Sequence, residues 1–149
     1  MPLVHVYTKR MFFDPSPEDV ALPEQHPLNE PSDAAPSGEH PLYVFAVRLT
    51  ELVARALTVP GTEGSLTHAD VEVRVEEIGP FDVFNTGVAI VVTANTYEKR
   101  LADLEERRLR LEAEVIPLLR ELTRPNCRPK RVSTWFPLAL GGAYGEADL

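Results

Sequence analysis

Proline stands directly after Met1 and opens an alternating apolar run, Pro2-Leu3-Val4-His5-Val6-Tyr7. Proline is small enough to permit aminopeptidase removal of the preceding methionine. The chain would then begin with a secondary amine at the start of a β-strand, and a prolyl nitrogen is both a base and a nucleophile. Ordinary α-amino groups titrate near ~7.7–8.0, and burial in an apolar pocket lowers that by disfavouring the charged form. A pKa close to ambient pH suits a general base. The competing reading is structural: Pro2 stiffens the start of an edge strand, where a missing N–H costs nothing.

The other reactive side chains are scattered. His5, His26, His40 and His68 have no ligand spacing. Cys127 is the only cysteine, so an intrachain disulfide is excluded and no thiol cluster points to zinc. Arg124, Arg128 and Lys130 flank it, but a lone cysteine beside a loop reads as a free thiol. No nucleophile elbow, Walker loop or dinucleotide fingerprint occurs. Glu72, Glu76 and Glu77 read as a solvated strand face or as charge partners of Arg74. Arg107, Arg108 and Arg110 read as a solvated helix face, and Trp135 and Phe136 as core or interface anchors.

The chain has 149 residues and a 44% hydrophobic share, enough for one domain with a real core. The formal net charge of -8 argues against nucleic acid, which needs a basic face, and against an anionic membrane surface. A small anionic substrate remains compatible, since one or two local cations suffice. The longest apolar run, Val88-Ala89-Ile90-Val91-Val92, is too short to span a bilayer. The amino terminus has no basic start followed by an apolar stretch, so no signal peptide is read there. The expected location is cytoplasmic.

The elements that must position Pro2 follow from periodicity. A first strand is predicted from about Pro2 to Thr8. A proline-rich stretch, about Phe12 to His40, has no sustained period; its composition fits either a lid over the surface or a disordered insertion. A helix is predicted from Pro41 to Leu57, with Phe45, Leu49, Leu52 and Ala56 at helical spacing and Pro60-Gly61 as the stop. Val71 to Glu76 alternates as a strand with its valines toward the core, and Gly79-Pro80 ends it. Val88 to Ala94 is apolar on both faces, as a central strand is. A long helix is predicted over Tyr97 to Leu122, kinked or split at Pro117. A last strand covers Arg131 to Pro137, and the glycine-rich tail from Gly141 reads as mobile. The expected fold is α/β: two βαβ units forming one four-stranded sheet with two helices on one face. A ferredoxin-like α+β sheet shares the element order and stays open as the alternative.

Met1-Pro2 at the start of the first strand, a long amphipathic helix ending in a proline turn, an alternating Val-Glu-Val-Arg strand and a second βαβ unit resemble the tautomerase superfamily. The longer, pseudo-duplicated members, such as carboxymethyl-hydroxymuconate isomerase and macrophage migration inhibitory factor, match best in size. The resemblance covers most of the chain outside the proline-rich insertion. It implies that Pro2 moves a proton between carbon and oxygen of an enol or dienol, without a cofactor or metal. It also implies a homotrimer with the proline pocket near a subunit boundary, and basic side chains that hold a substrate carboxylate. Arg74 is the best match for a strand-borne arginine, and Lys9 and Arg10 are weaker matches near the first helix. Tyr7-Thr8-Lys9-Arg10 and Tyr97-Glu98-Lys99-Arg100 share three of four letters, a trace of internal repetition. The function expected is therefore isomerisation of a small keto, enol or unsaturated carboxylate compound. The alternative is a non-enzymatic oligomeric module for ligand binding or assembly, which a retained Met1 would favour.

Overall fold

The alternating run that begins at Pro2 becomes the strand β1, Leu3–Thr8, with every second side chain buried. The computed structural model describes residues 1–15, 39–62, 64–79, 87–95, 98–138 and 141–149. A single 3-10 turn, Arg10–Phe12, follows β1 and delivers Phe13 into the core, where its ring lies 5.6 Å from that of Phe45. The remainder of the proline-rich stretch, 16–38, lies outside the described residues.

Helix α1, Pro41–Leu57, has the predicted bounds. Proline suits the first turn because its missing N–H has no intrahelical partner there. His40 caps the helix by accepting the Leu42 N–H on Nδ1 at 3.2 Å. Phe45, Leu49, Val53, Ala56 and Leu57 form the buried stripe. At the far end Thr58 donates its N–H to the Ala54 carbonyl, and Gly61 takes a left-handed φ of 71° as the chain turns away.

Strands β2, Glu72–Glu77, and β3, Gly87–Thr93, come next. Gly87 also has a left-handed φ, and a Cβ there would stand 2.7 Å from Cβ of Pro129. The helical region then falls into α2, Glu98–Ala102, and α3, Leu104–Leu122. The break is at Asp103, with φ -123° and ψ 28°, and not at Pro117, which lies inside α3. Asp103 instead accepts Arg107 Nε at 2.6 Å, anchoring the start of the new helix.

The chain ends in β4, Arg131–Leu138, and β5, Gly141–Asp148. The glycine-rich tail is therefore a fifth strand, paired antiparallel to β4 along its full length, where the sequence predicts mobility. The sheet has five strands in the order β2-β1-β3-β4-β5, and three α-helices are present among the described residues, against an expectation of four and two.

β1 and β2, joined through α1, are parallel neighbours; β3 and β4, joined through α2 and α3, are parallel neighbours too. The two halves meet antiparallel between β1 and β3. Half of the strand pairs are thus parallel, unlike the mainly antiparallel sheet of the ferredoxin-like alternative.

Register puts Val4 and Val6 beside Val92 and Ile90, and Val88 beside Val132, on one face. These side chains are fully buried in one cluster with Phe45, Leu49, Val53, Leu111, Val115 and Leu119 of the helices. The opposite face carries Leu3, His5, Tyr7, Ala89, Val91 and Trp135. They are half-buried or exposed, and none belongs to the core cluster.

The valines of β2 do not all reach the core. Val73 packs against its margin, while Val75 is exposed in the groove between α1 and the edge strand β2. No described helix is long and apolar enough to cross a membrane.

Candidate functional site

Pro2 is buried at the head of β1, between the exposed Met1 and the central sheet. Its carbonyl accepts the Glu72 N–H at 3.1 Å, extending the parallel ladder by one step. Its side chain lines a pocket of about 260 Å³ with Met1, Ser65, Leu66, Asp70, Asn95 and Arg100. Three chain segments converge there: the loop after α1, the turn leading into β2, and the exit of β3.

Arg100 is the group that ties them together. It is almost fully buried, at 1% exposure. Nε donates to the Leu57 carbonyl at 2.9 Å, one Nη to the Asn95 carbonyl at 2.7 Å, and the other to the Gly64 carbonyl at 3.3 Å. Leu57 is the last residue of α1, where carbonyls lack intrahelical partners and a cation is favourable against the helix dipole. Arg107 assists by donating to the carbonyls of Ala56 and Thr58. The Arg100 guanidinium therefore reaches the wall of the Pro2 pocket held in place by its own structural duties.

Across the pocket, Asp70 accepts the Thr67 N–H at 2.7 Å and the Thr67 hydroxyl at 2.8 Å, closing the turn before β2. The backbone N–H of Thr67, then its hydroxyl, hold the carboxyl below the usual range, and the chain's amino terminus adds a smaller pull in the same direction. The pocket thus places an anion and a buried cation around the first residues of the chain.

The structure does not bring the expected substrate-binding residues to Pro2. Arg74 is exposed, pairs with Glu72 at 2.7 Å, and stands opposite His5 in the register. His5 and Pro2 have opposite parity along β1, so Arg74 projects from the helix-free side of the sheet. Lys9 and Arg10 follow the other end of β1, roughly 20 Å away at ~3.3 Å per residue. Arg10 pairs there with Asp14, which also accepts His40 Nε2 at 2.9 Å. Those two partners, His40 first, keep the Asp14 carboxyl below its ordinary range.

Arg10 and His40 border a larger groove, about 560 Å³, between α1 and β2. It is mostly apolar and holds no group placed like Pro2. Among the described residues no cluster of three or more His, Cys, Asp or Glu forms a metal site.

Arg107 and Arg108 are buried, contrary to their reading as a solvated face; only Arg110 fits it. Arg108 donates to Glu105, Glu112 and the Thr134 hydroxyl at 2.6–2.9 Å. This network joins α3 to β4 and serves the fold.

No family model, curated protein or solved structure matches the chain. The functional reading therefore stands on the pocket itself. Arg100 and Asp70 are the residues sequence reasoning missed. The signal for Arg100 was the Tyr-x-Lys-Arg echo, which marks two arginines beyond the ends of β1 and β3. Because those strands are antiparallel, the second arginine comes to the head of the first strand.

Proposed function

We propose that the chain is a cofactor-independent tautomerase or isomerase acting on a small keto, enol or unsaturated carboxylate compound, with Pro2 as its base once Met1 is removed. The observation that carries this is the burial of Pro2 in a pocket shared with Arg100. Also in support, the tautomerase resemblance implies two parallel βαβ units set side by side, and β1–β2 and β3–β4 pair in that sense.

In this mechanism the unprotonated prolyl nitrogen takes a proton from the carbon next to the substrate carbonyl. The electron pair of the C–H bond moves into the new C=C bond, and the carbonyl pair moves onto oxygen. The prolinium then returns the proton to that oxygen, giving the enol, or to the far carbon of a conjugated system. Arg100, fixed by the Leu57, Asn95 and Gly64 carbonyls, supplies positive charge in the pocket wall for the substrate carboxylate, and Ser65 and Asn95 supply neutral hydrogen-bonding groups. Burial of Pro2 and the charge of Arg100 disfavour the protonated amine, while Asp70 favours it. Activity falls as pH drops and the amine protonates.

The test compares one protein with Met1 removed and retained, each verified by intact mass, in tautomerisation of phenylpyruvate or hydroxymuconate. Removal should raise the rate ~10²–10⁴-fold, the usual worth of one general base. Pro2→Ala, which leaves a primary amine, should lose only part of it. Equal rates in the blocked and free proteins would make Pro2 structural and leave the ligand-binding or assembly module as the reading.

A further inference from the structure

We infer that the open edge of β2 is a two-fold joint to a second copy of this chain, the two β2 strands pairing antiparallel about Val75. The backbone sets the first condition. Glu72 donates its N–H to Pro2, and Ile78 donates to Thr8, so the even-numbered residues of β2 bond inward to β1. In a parallel pair the residues between them turn their N–H and C=O the other way. Val73, Val75 and Glu77 therefore present donors and acceptors to the outer edge. Among the described residues no strand occupies it.

Charge selects both the partner and the register. About Val75, Arg74 falls opposite Glu76 of the second copy, and Glu76 opposite its Arg74. Adjacent non-hydrogen-bonded positions hold these side chains close, where opposite charges stabilise and like charges destabilise. Sliding the partner by two residues sets Arg74 against Arg74 in one direction and Glu76 against Glu76 in the other. Sliding by one puts the edge groups of one strand against the inward-bonded groups of the other. The edge is thus complementary to itself in the register that pairs 72–78 with 78–72.

The helix-side surface agrees. Val75, Tyr43 and Val47 are 37%, 58% and 45% exposed and lie along the apolar groove between α1 and β2. The two-fold brings each set beside its twin and covers apolar surface that a single copy leaves wet. The joined sheet runs through both subunits.

Sedimentation of the full chain at micromolar concentration tests this by counting chains. The wild type should contain an even number. Arg74→Glu, and separately Glu76→Arg, should each halve the particle, because each sets like charges across the joint. The double swap Arg74→Glu/Glu76→Arg restores opposite charges and should restore the full mass. Val47→Glu, on α1 and outside the strand ladder, should also halve it, which covers the case of a strand variant that fails to fold by circular dichroism. An odd number of chains in the wild type, an unchanged mass in the folded variants, or a double swap that stays halved would overturn the proposal.

Discussion

Arg108 carries its charge into the interior because Gly145 leaves room for it. A Cβ on residue 145 would overlap the guanidinium carbon. The side chain is 5% exposed, and its partner Glu112 is 14% exposed. Glu105, then Glu112, raise the Arg108 pKa above its ordinary value, so the group stays charged wherever the protein is folded. Glu112→Ala would remove the better-buried of its two carboxylates and leave Glu105 paired, at a cost of about 1–3 kcal/mol in urea unfolding. Replacing both members by apolar residues, Arg108→Met with Glu112→Leu, should recover most of the loss, since a buried pair is little better than good packing. Gly145→Ala should cost ~1–3 kcal/mol through overpacking, and markedly less when combined with Arg108→Met. A full additive loss in that combination would show that the strain lies elsewhere.

Helix α3 runs through Pro117 while the chain breaks fourteen residues earlier, at Asp103. Proline in a helix interior removes one hydrogen bond and costs ~3 kcal/mol in an isolated helix. Pro117 sits where α3 faces α1 across a charged cleft with Arg48, Arg55, Glu114 and Glu121. Pro117→Ala should therefore raise the thermal midpoint, and a lowered midpoint would mean that the ring itself packs usefully. Periodicity located α1, β1 and β2, because each repeats its apolar residues at the period of its element, while β3 was read from a short run apolar on both faces. It missed β5, Gly141-Gly142-Ala143-Tyr144-Gly145, where small residues erase the alternation and pairing to β4 alone makes the strand. It also misread Arg107 and Arg108, because beyond their local carboxylates they bond distant carbonyls and a threonine on β4. In the candidate site, Pro2 was legible from its type and place. Arg100 was not, since its burial depends on three carbonyls brought together only by the fold.

At the scale of the whole molecule, two faces and one pH range define its behaviour. The helix-free sheet face, with Leu3, Tyr7, Val91 and Trp135, suits the homotrimer that the tautomerase resemblance implies, and with the β2 joint light scattering should return a pair of trimers. A monomer mass would remove both assemblies, and Trp135→Glu should release the trimer contact alone. Acid should loosen the fold in a defined range. Asp14, Asp70 and Glu105 all titrate below their ordinary values in the folded state, through His40, Thr67 and Arg108 respectively. Ordinary values are ~3.9 for Asp and ~4.3 for Glu, so their contribution is whole above those pH values and lost as pH falls through the lower folded ones. The three are solvent-exposed, so the loss should be modest: thermal midpoints should hold from pH 7 to about 5 and decline below ~4. A decline already complete at pH 5 would point to other groups.

Strand β1 is made before both of the strands that flank it, β2 and β3. Val4 waits for Val73 on one side and Val92 on the other, so one of its edges stays open through nearly half of the chain and the other through more than half. An N-terminal strand with two unfilled edges is a template for wrong partners, whether a neighbouring nascent chain or a trailing segment of its own. The same placement sends any amino-terminal fusion out through the Pro2 pocket, while a carboxy-terminal one leaves from the end of an edge strand. A purification handle therefore belongs after Leu149, where it disturbs neither the order of assembly nor the nitrogen that the proposed mechanism uses.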